Sequence, residues 1–182
     1  MQAFFHFVLF LLLTACISPS PQHSSAYQAF IANEDSMTTA LKQLDPNLSV
    51  ELLESGEKHG VFVRTVVLKL QQTPVILAVS RAGNDSPIFV KILAEADRTP
   101  IGTRLFAKDS GIRRSSMEVK QVSREQIQEE SLKSYLRTLN IPTDSFLALR
   151  RSLFTQGEEQ LELIEYVLPS VETFLEKQSP RS

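Results

Sequence analysis

Apolar positions along this chain follow two rhythms, one helical and one alternating, and their order outlines a single domain. Tyr27, Phe30, Ile31, Met37, Leu41 and Leu44 recur near helical spacing, predicting an amphipathic helix over 25–44 that ends at Asp45-Pro46. Residues 48–53 predict a short strand. The β-branched runs 61–70 and 74–81, joined by Gln71-Gln72-Thr73, predict a hairpin. After the turn-rich Ala82-Gly83-Asn84-Asp85, Ser86 can cap a helix with Pro87 at its first position. Ile88, Phe89, Ile92 and Leu93 extend that helix to about Ala96, and Thr99-Pro100-Ile101-Gly102 ends it before Leu105-Phe106. Residues 117–122 predict a strand. Ser123-Arg124-Glu125-Gln126 has the form of a capping box, opening a helix through Ile127, Leu132, Tyr135 and Leu136 that stops near Asn140-Ile141-Pro142. Residues 146–155 and 160–168 predict a second hairpin around Gln156-Gly157-Glu158. The sum is an antiparallel α+β domain.

The head of the chain follows neither rhythm. Residues 4–13 are an unbroken apolar run, shorter than the roughly 20 residues a membrane span needs. It breaks into Leu13-Thr14-Ala15-Cys16 and then Ile17-Ser18-Pro19-Ser20-Pro21, which reads as a bacterial lipoprotein signal with its acylated, palmitate-type cysteine. The expected organisation is a signal peptide over 1–15, a Ser/Pro-rich tether over 16–25, a domain over 26–175 and a flexible tail over 176–182. The mature protein is then lipid-anchored in the cell envelope and faces the periplasm. No Lys or Arg precedes Lys42, so the basic start of such a signal is missing. A plain signal peptide or an uncleaved anchor are the alternatives.

Cys16 is the only cysteine, which excludes a disulfide within the chain. A formal net charge of -2 gives no electrostatic case for nucleic acid. The three histidines, His6, His23 and His59, form no cluster with acids at ligand spacing, and no phosphate loop or nucleophile motif appears. No metal or organic cofactor is expected.

Strand alternation places single charges on apolar faces. Glu165 shares a face with Leu161, Leu163 and Val167, Arg64 with Phe62, Val66, Leu68 and Leu70, and Arg151 with Leu147, Leu149 and Leu153. Two readings stand side by side. The charges sit at edges or pair with one another inside the fold, or they converge on a pocket for a small carboxylate. Guanidinium groups grip carboxylates bidentately, and a buried carboxyl holds its proton toward neutral pH as a general acid requires.

Four segments, in order over roughly residues 27–170, resemble chorismate lyase, which converts chorismate to 4-hydroxybenzoate and pyruvate in ubiquinone biosynthesis. They are Glu34-Asp35-Ser36-Met37-Thr38, the stretch from Arg64 through Pro74 to Ser80, Thr99-Pro100-Ile101-Gly102 with Leu105-Phe106, and Glu165-Tyr166-Val167-Leu168-Pro169. The resemblance implies an antiparallel sheet flanked by helices, a ligand enclosed beneath helical flaps, and a lyase that needs no cofactor. It implies Glu165 as the catalytic acid, Met37 in the pocket wall and Ile101 as a backbone donor to the ligand. It puts the family's catalytic arginine at Val79, five residues after Pro74. Arg81, two residues on, is then the expected surrogate, through reach or a two-residue shift in the hairpin. Arg64 and Arg151 are less direct candidates, and Arg113 and Arg114 match a basic stretch of the family. The sensor domains of some transcription regulators share this fold and bind small effectors without chemistry. Two functions are therefore expected to compete with a purely structural envelope role. One is a lyase using Glu165 and Arg81; the other is a lipid-anchored module binding a small aromatic carboxylate or a protein partner.

Overall fold

Local backbone chemistry divides what the apolar spacing joins. The computed structural model describes residues 23–115, 117–142 and 145–178, so Cys16 and the expected signal peptide lie outside the described residues. The helix expected over 25–44 is two helices, α1 (Ser25–Ala32) and α2 (Met37–Leu44). Asn33 takes an extended conformation, and its side-chain oxygen accepts the Asp35 N–H at 2.8 Å. That local bond replaces a helical one and turns the chain. Ser24 caps α1 by accepting the Tyr27 N–H, and the buried Tyr27 hydroxyl donates to the Val167 carbonyl at 3.2 Å, pinning α1 to the sheet.

Strand β1 (Ser49–Lys58) is longer than expected because its half-exposed residues hide its alternation, and it pairs along the whole of β2 (Val61–Leu70) through the tight turn His59-Gly60. The next hairpin pairs Leu70 with Thr73, so its loop is Gln71-Gln72 alone and Thr73 opens β3 (Thr73–Gly83). Both loop residues have positive φ, 48° and 66°, as a two-residue turn matched to strand twist demands.

Helix α3 (Pro87–Glu95) and the single-turn α4 (Gly102–Leu105) follow, then a short β4 (Arg113–Arg114) and β5 (Glu118–Ser123). The Ser123/Gln126 capping box forms, but it opens only a 3-10 turn over Arg124–Gln126. Ile127 returns to an extended conformation so that its side chain can be buried, and α5 (Glu130–Thr138) begins three residues later. The hairpin β6 (Phe146–Gln156) and β7 (Glu159–Val167) turns at Gly157, whose φ of 61° suits glycine. Helix α6 (Glu172–Gln178) closes the described chain, and its first residues bind Ser24 through the Glu172 carboxylate.

The seven strands form one antiparallel sheet in the order β1-β2-β3-β7-β6, with β4 and β5 both along the outer edge of β6. Its two faces bury two cores. The first lies beneath α1, α2, α3, α4 and α6 and includes Val66, Leu68, Ile76, Ala78, Phe89 and Phe154. The second lies beneath α5 and includes Val67, Leu77, Val79, Ile164 and Leu136. Each fully buried aliphatic or phenylalanine side chain stabilises the domain by about 1.5–3 kcal/mol. The architecture is the α+β antiparallel sheet flanked by helices that the pattern predicts. No helix among the described residues is long and apolar enough to cross a membrane.

Candidate functional site

The first core is interrupted at the centre of the sheet by charge. Across four adjacent strands, Arg64 on β2 pairs in register with Ser80 on β3, Ala78 on β3 with Glu165 on β7, and Glu165 with Arg150 on β6. These side chains rise from one face into a cavity of about 510 Å3, mouth included, roofed by the 35–38 turn, the 100–102 segment and Phe106. The walls stand close, leaving space on the order of one or two waters.

Arg64 is 1% exposed. Its Nη2 donates to the carbonyls of Asp97 at 2.8 Å and Thr99 at 2.9 Å, which fastens the loop between α3 and α4 to the sheet. Desolvation lowers its pKa to about 10, against the opposing pull of Asp97, so it remains a cation at neutral pH. Arg150 is equally buried: Nη2 donates to the Asn33 carbonyl at 2.7 Å, Nε to Met117 Sδ at 3.0 Å, and Nη1 lies 3.3 Å from Glu165 Oε2. Burial lowers its pKa, and Glu165 partly restores it. Arg114 donates to the Glu34 carbonyl and stacks on Phe106, 5.1 Å from the ring centroid.

Glu165 has only 13% of its side chain exposed. Burial raises its pKa, while Arg150 and then Arg114 hold it down. Among the described residues, Ser36 and Arg64 line this cavity, and Ser36 Oγ and Arg64 Nε have no hydrogen-bond partner. Each is a donor that a ligand oxygen could engage. Three arginines against Glu165 and Asp35 make the lining favour an anion. No cluster of His, Cys, Asp or Glu among the described residues could hold a metal ion.

The structure brings together four of the expected site residues, Met37, Arg64, Ile101 and Glu165, around this cavity. It puts the other three on the opposite face. Val79 is fully buried in the core beneath α5. Arg81 pairs with Glu162 at 2.9 Å and with Glu129, and Arg151 Nε donates to Glu162 at 2.7 Å. The reason is the pleat: Ala78 and Ser80 share Glu165's face, so Val79 and Arg81 must point away from it. Arg81 therefore lies on the face away from this cavity, beside Glu162. Val79 thus lies outside the cavity, whose arginines are Arg64, Arg114 and Arg150.

Arg150 is the residue that apolar-face counting passes over. Its neighbour Arg151 has leucines at every alternate position and attracts the attention. The usable signal was register: a two-residue loop at Gly157-Glu158 pairs Gln156 with Glu159 and thereby Arg150 with Glu165.

No family model matches the sequence, and no curated protein matches it. Solved structures resemble the fold at low identity. The ligand-binding domain of a protein described as a GntR-family transcriptional regulator from Bordetella bronchiseptica aligns with a TM-score of 0.45 and 11% identity, over 66% of this chain and 85% of that one. The possible transcriptional regulator YydK from Bacillus subtilis gives 0.46 and 11%, over 70% and 60%. The C-terminal domain of the histidine utilization repressor from Pseudomonas syringae gives 0.39 and 16%, over 68% and 87%.

Proposed function

We propose that the cavity takes a small aromatic or enolpyruvyl carboxylic acid in a chorismate-lyase-like domain, with Arg64 gripping the carboxylate and Glu165 acting at the far end as acid. The observation that carries this reading is a buried glutamate with a raised pKa sharing one cavity with Arg64, whose Nε lacks a partner. In the lyase reaction that the sequence resemblance implies, the bond between a ring carbon and the enolpyruvyl oxygen breaks and the adjacent ring carbon loses its proton. The ring becomes aromatic as 4-hydroxybenzoate, and the departing enolpyruvate gains a proton to become pyruvate. Glu165 in its protonated form supplies a donor to the hydroxyl and ether end, and the cavity walls hold the ring in the reacting orientation. Aromatisation drives the step, so none of it calls on a cofactor.

A second reading is a binding module without turnover. The ion pair between Arg150 and Glu165 favours it, because a carboxylate kept ionised cannot donate. The Cys16 anchor proposed from the sequence favours it too, since a domain facing the periplasm stands apart from the cytoplasmic supply of chorismate.

One experiment separates the two. Full-length protein in detergent is mixed with chorismate, 4-hydroxybenzoate formation is followed by absorbance, and 4-hydroxybenzoate binding is followed by thermal shift. The lyase reading expects product from the wild type, a loss of roughly 10²–10⁴-fold in Glu165→Gln, and near-normal rates in Arg81→Ala, whose side chain lies on the other face. Binding without product would establish the second reading. Neither product nor a shift would sink both, and a dead Arg81→Ala would restore that arginine to the site.

A further inference from the structure

Ser36 occupies the N-cap position of α2, a helix of eight residues, yet its side chain makes no capping bond. A serine there ordinarily accepts an N–H of the first turn and steadies the helix. Here the side chain is 5% exposed, its oxygen has no partner among the described residues, and it lines the cavity. The hydroxyl is also held in place. A Cβ built on Gly102 would come within 2.7 Å of Ser36 Oγ and 2.6 Å of Thr38 Oγ1, so the start of α2 is pressed against the start of α4 with no room to retreat.

The same cavity is lined by Arg64, tied by Nη2 to the Asp97 and Thr99 carbonyls just ahead of Ile101 and Gly102 while its Nε is left without a partner. Two buried donors with no acceptor are costly in a folded core, and they persist where a ligand completes them. The first-turn N–H groups of α2 have no acceptor within their helix, and that helix end favours negative charge. All these donors suit one chemical group, a carboxylate.

We propose that Ser36 is a specificity-determining residue whose hydroxyl donates to the carboxylate of the bound acid at the start of α2, alongside Arg64 Nε, so that the cavity separates an acid from its neutral amide. This deepens the small-carboxylate reading above and rests on it. The helix has given up its serine cap, and the hydroxyl is kept for the ligand.

The test is calorimetric titration of full-length wild type and Ser36→Ala with 4-hydroxybenzoate and with 4-hydroxybenzamide, together with ligand-free melting of both proteins. Ser36→Ala should melt within about a degree of wild type, because no capping bond is lost. It should bind the acid roughly tenfold more weakly while its affinity for the amide changes far less, so the preference for acid over amide narrows. Equal binding of the acid by both proteins overturns the assignment and leaves the function intact. A ligand-free melting point several degrees lower in Ser36→Ala also overturns it, since the hydroxyl would then serve the fold. Wild type that binds neither compound removes the functional reading and this assignment together.

Discussion

At the scale of single residues, the decisive pair is Arg150 and Glu165, opposite each other across β6 and β7 with their charged ends 3.3 Å apart. Burial pushes the Glu165 pKa above its unfolded value of about 4.3. The folded state therefore binds that proton more tightly than the unfolded chain. Its stabilising effect is complete at low pH and is lost as pH rises through the raised folded value. Arg150 is the larger of the influences holding that value down. Arg150→Met should cost about 3–5 kcal/mol at pH 8, where it leaves a buried carboxylate without its partner. The deficit should shrink toward pH 5, where Glu165 can accept a proton instead. Urea unfolding of both proteins at the two pH values measures this, and a deficit of the same size at each would show that the two groups are not electrostatically coupled.

Elements carry their own strain and their own logic. The β2–β3 turn asks two glutamines for positive φ, a conformation that costs an L-residue with a Cβ roughly 1–2 kcal/mol. Gln71→Asn with Gln72→Gly supplies the residues such a turn prefers and should raise stability by about 1 kcal/mol. That gain corresponds to an increase of roughly 2–4 °C in Tm by calorimetry; a fall in Tm would mean that the glutamine side chains contribute more than their backbone strain costs. The break between α1 and α2 has a different use. It brings the Asn33 and Glu34 carbonyls to Arg150 and Arg114, so the roof over the cavity is latched by the same guanidinium groups that set the charge beneath it. The sequence carried a mark of this break in the six-residue step from Ile31 to Met37, filled by Asn33-Glu34-Asp35-Ser36. An uninterrupted helical stripe would have closed that gap at three or four residues.

The whole molecule divides its charges by face. One face holds the cavity, while the other carries the ladder of Arg81, Glu129, Glu162 and Arg151, with Glu129 at the N-cap of α5. At its outer end Arg151 is 54% exposed, so its pair with Glu162 adds little to stability in water. Ahead of the domain, the proposed anchor at Cys16 would hold the cavity close to a membrane surface. Cells expressing the protein and fed a fatty-acid probe should label it, and Cys16→Ser should abolish the label and release the protein from the membrane fraction. Labelling that survives the substitution, or none in the wild type, would remove the lipoprotein reading and leave a plain signal peptide or an uncleaved anchor.

The chain by itself determined the elements that depend on neighbours in sequence: the two long hairpins, the Ser86-Pro87 helix start, the antiparallel α+β class, and the placing of Glu165 and Arg64 among aliphatic residues. These follow from side-chain period and turn chemistry, which act over a few residues. Only the tertiary structure decided which charges meet. Arg64 and Glu165 lie on strands separated by β3, and Arg150 joins them through hairpin register, so their convergence depends on strand order and on which face each pleat presents. A shift of one position along a strand reverses the face. That is why Val79, Arg81 and Arg151, adjacent in sequence to the true lining residues Ala78, Ser80 and Arg150, stand on the far side of the sheet.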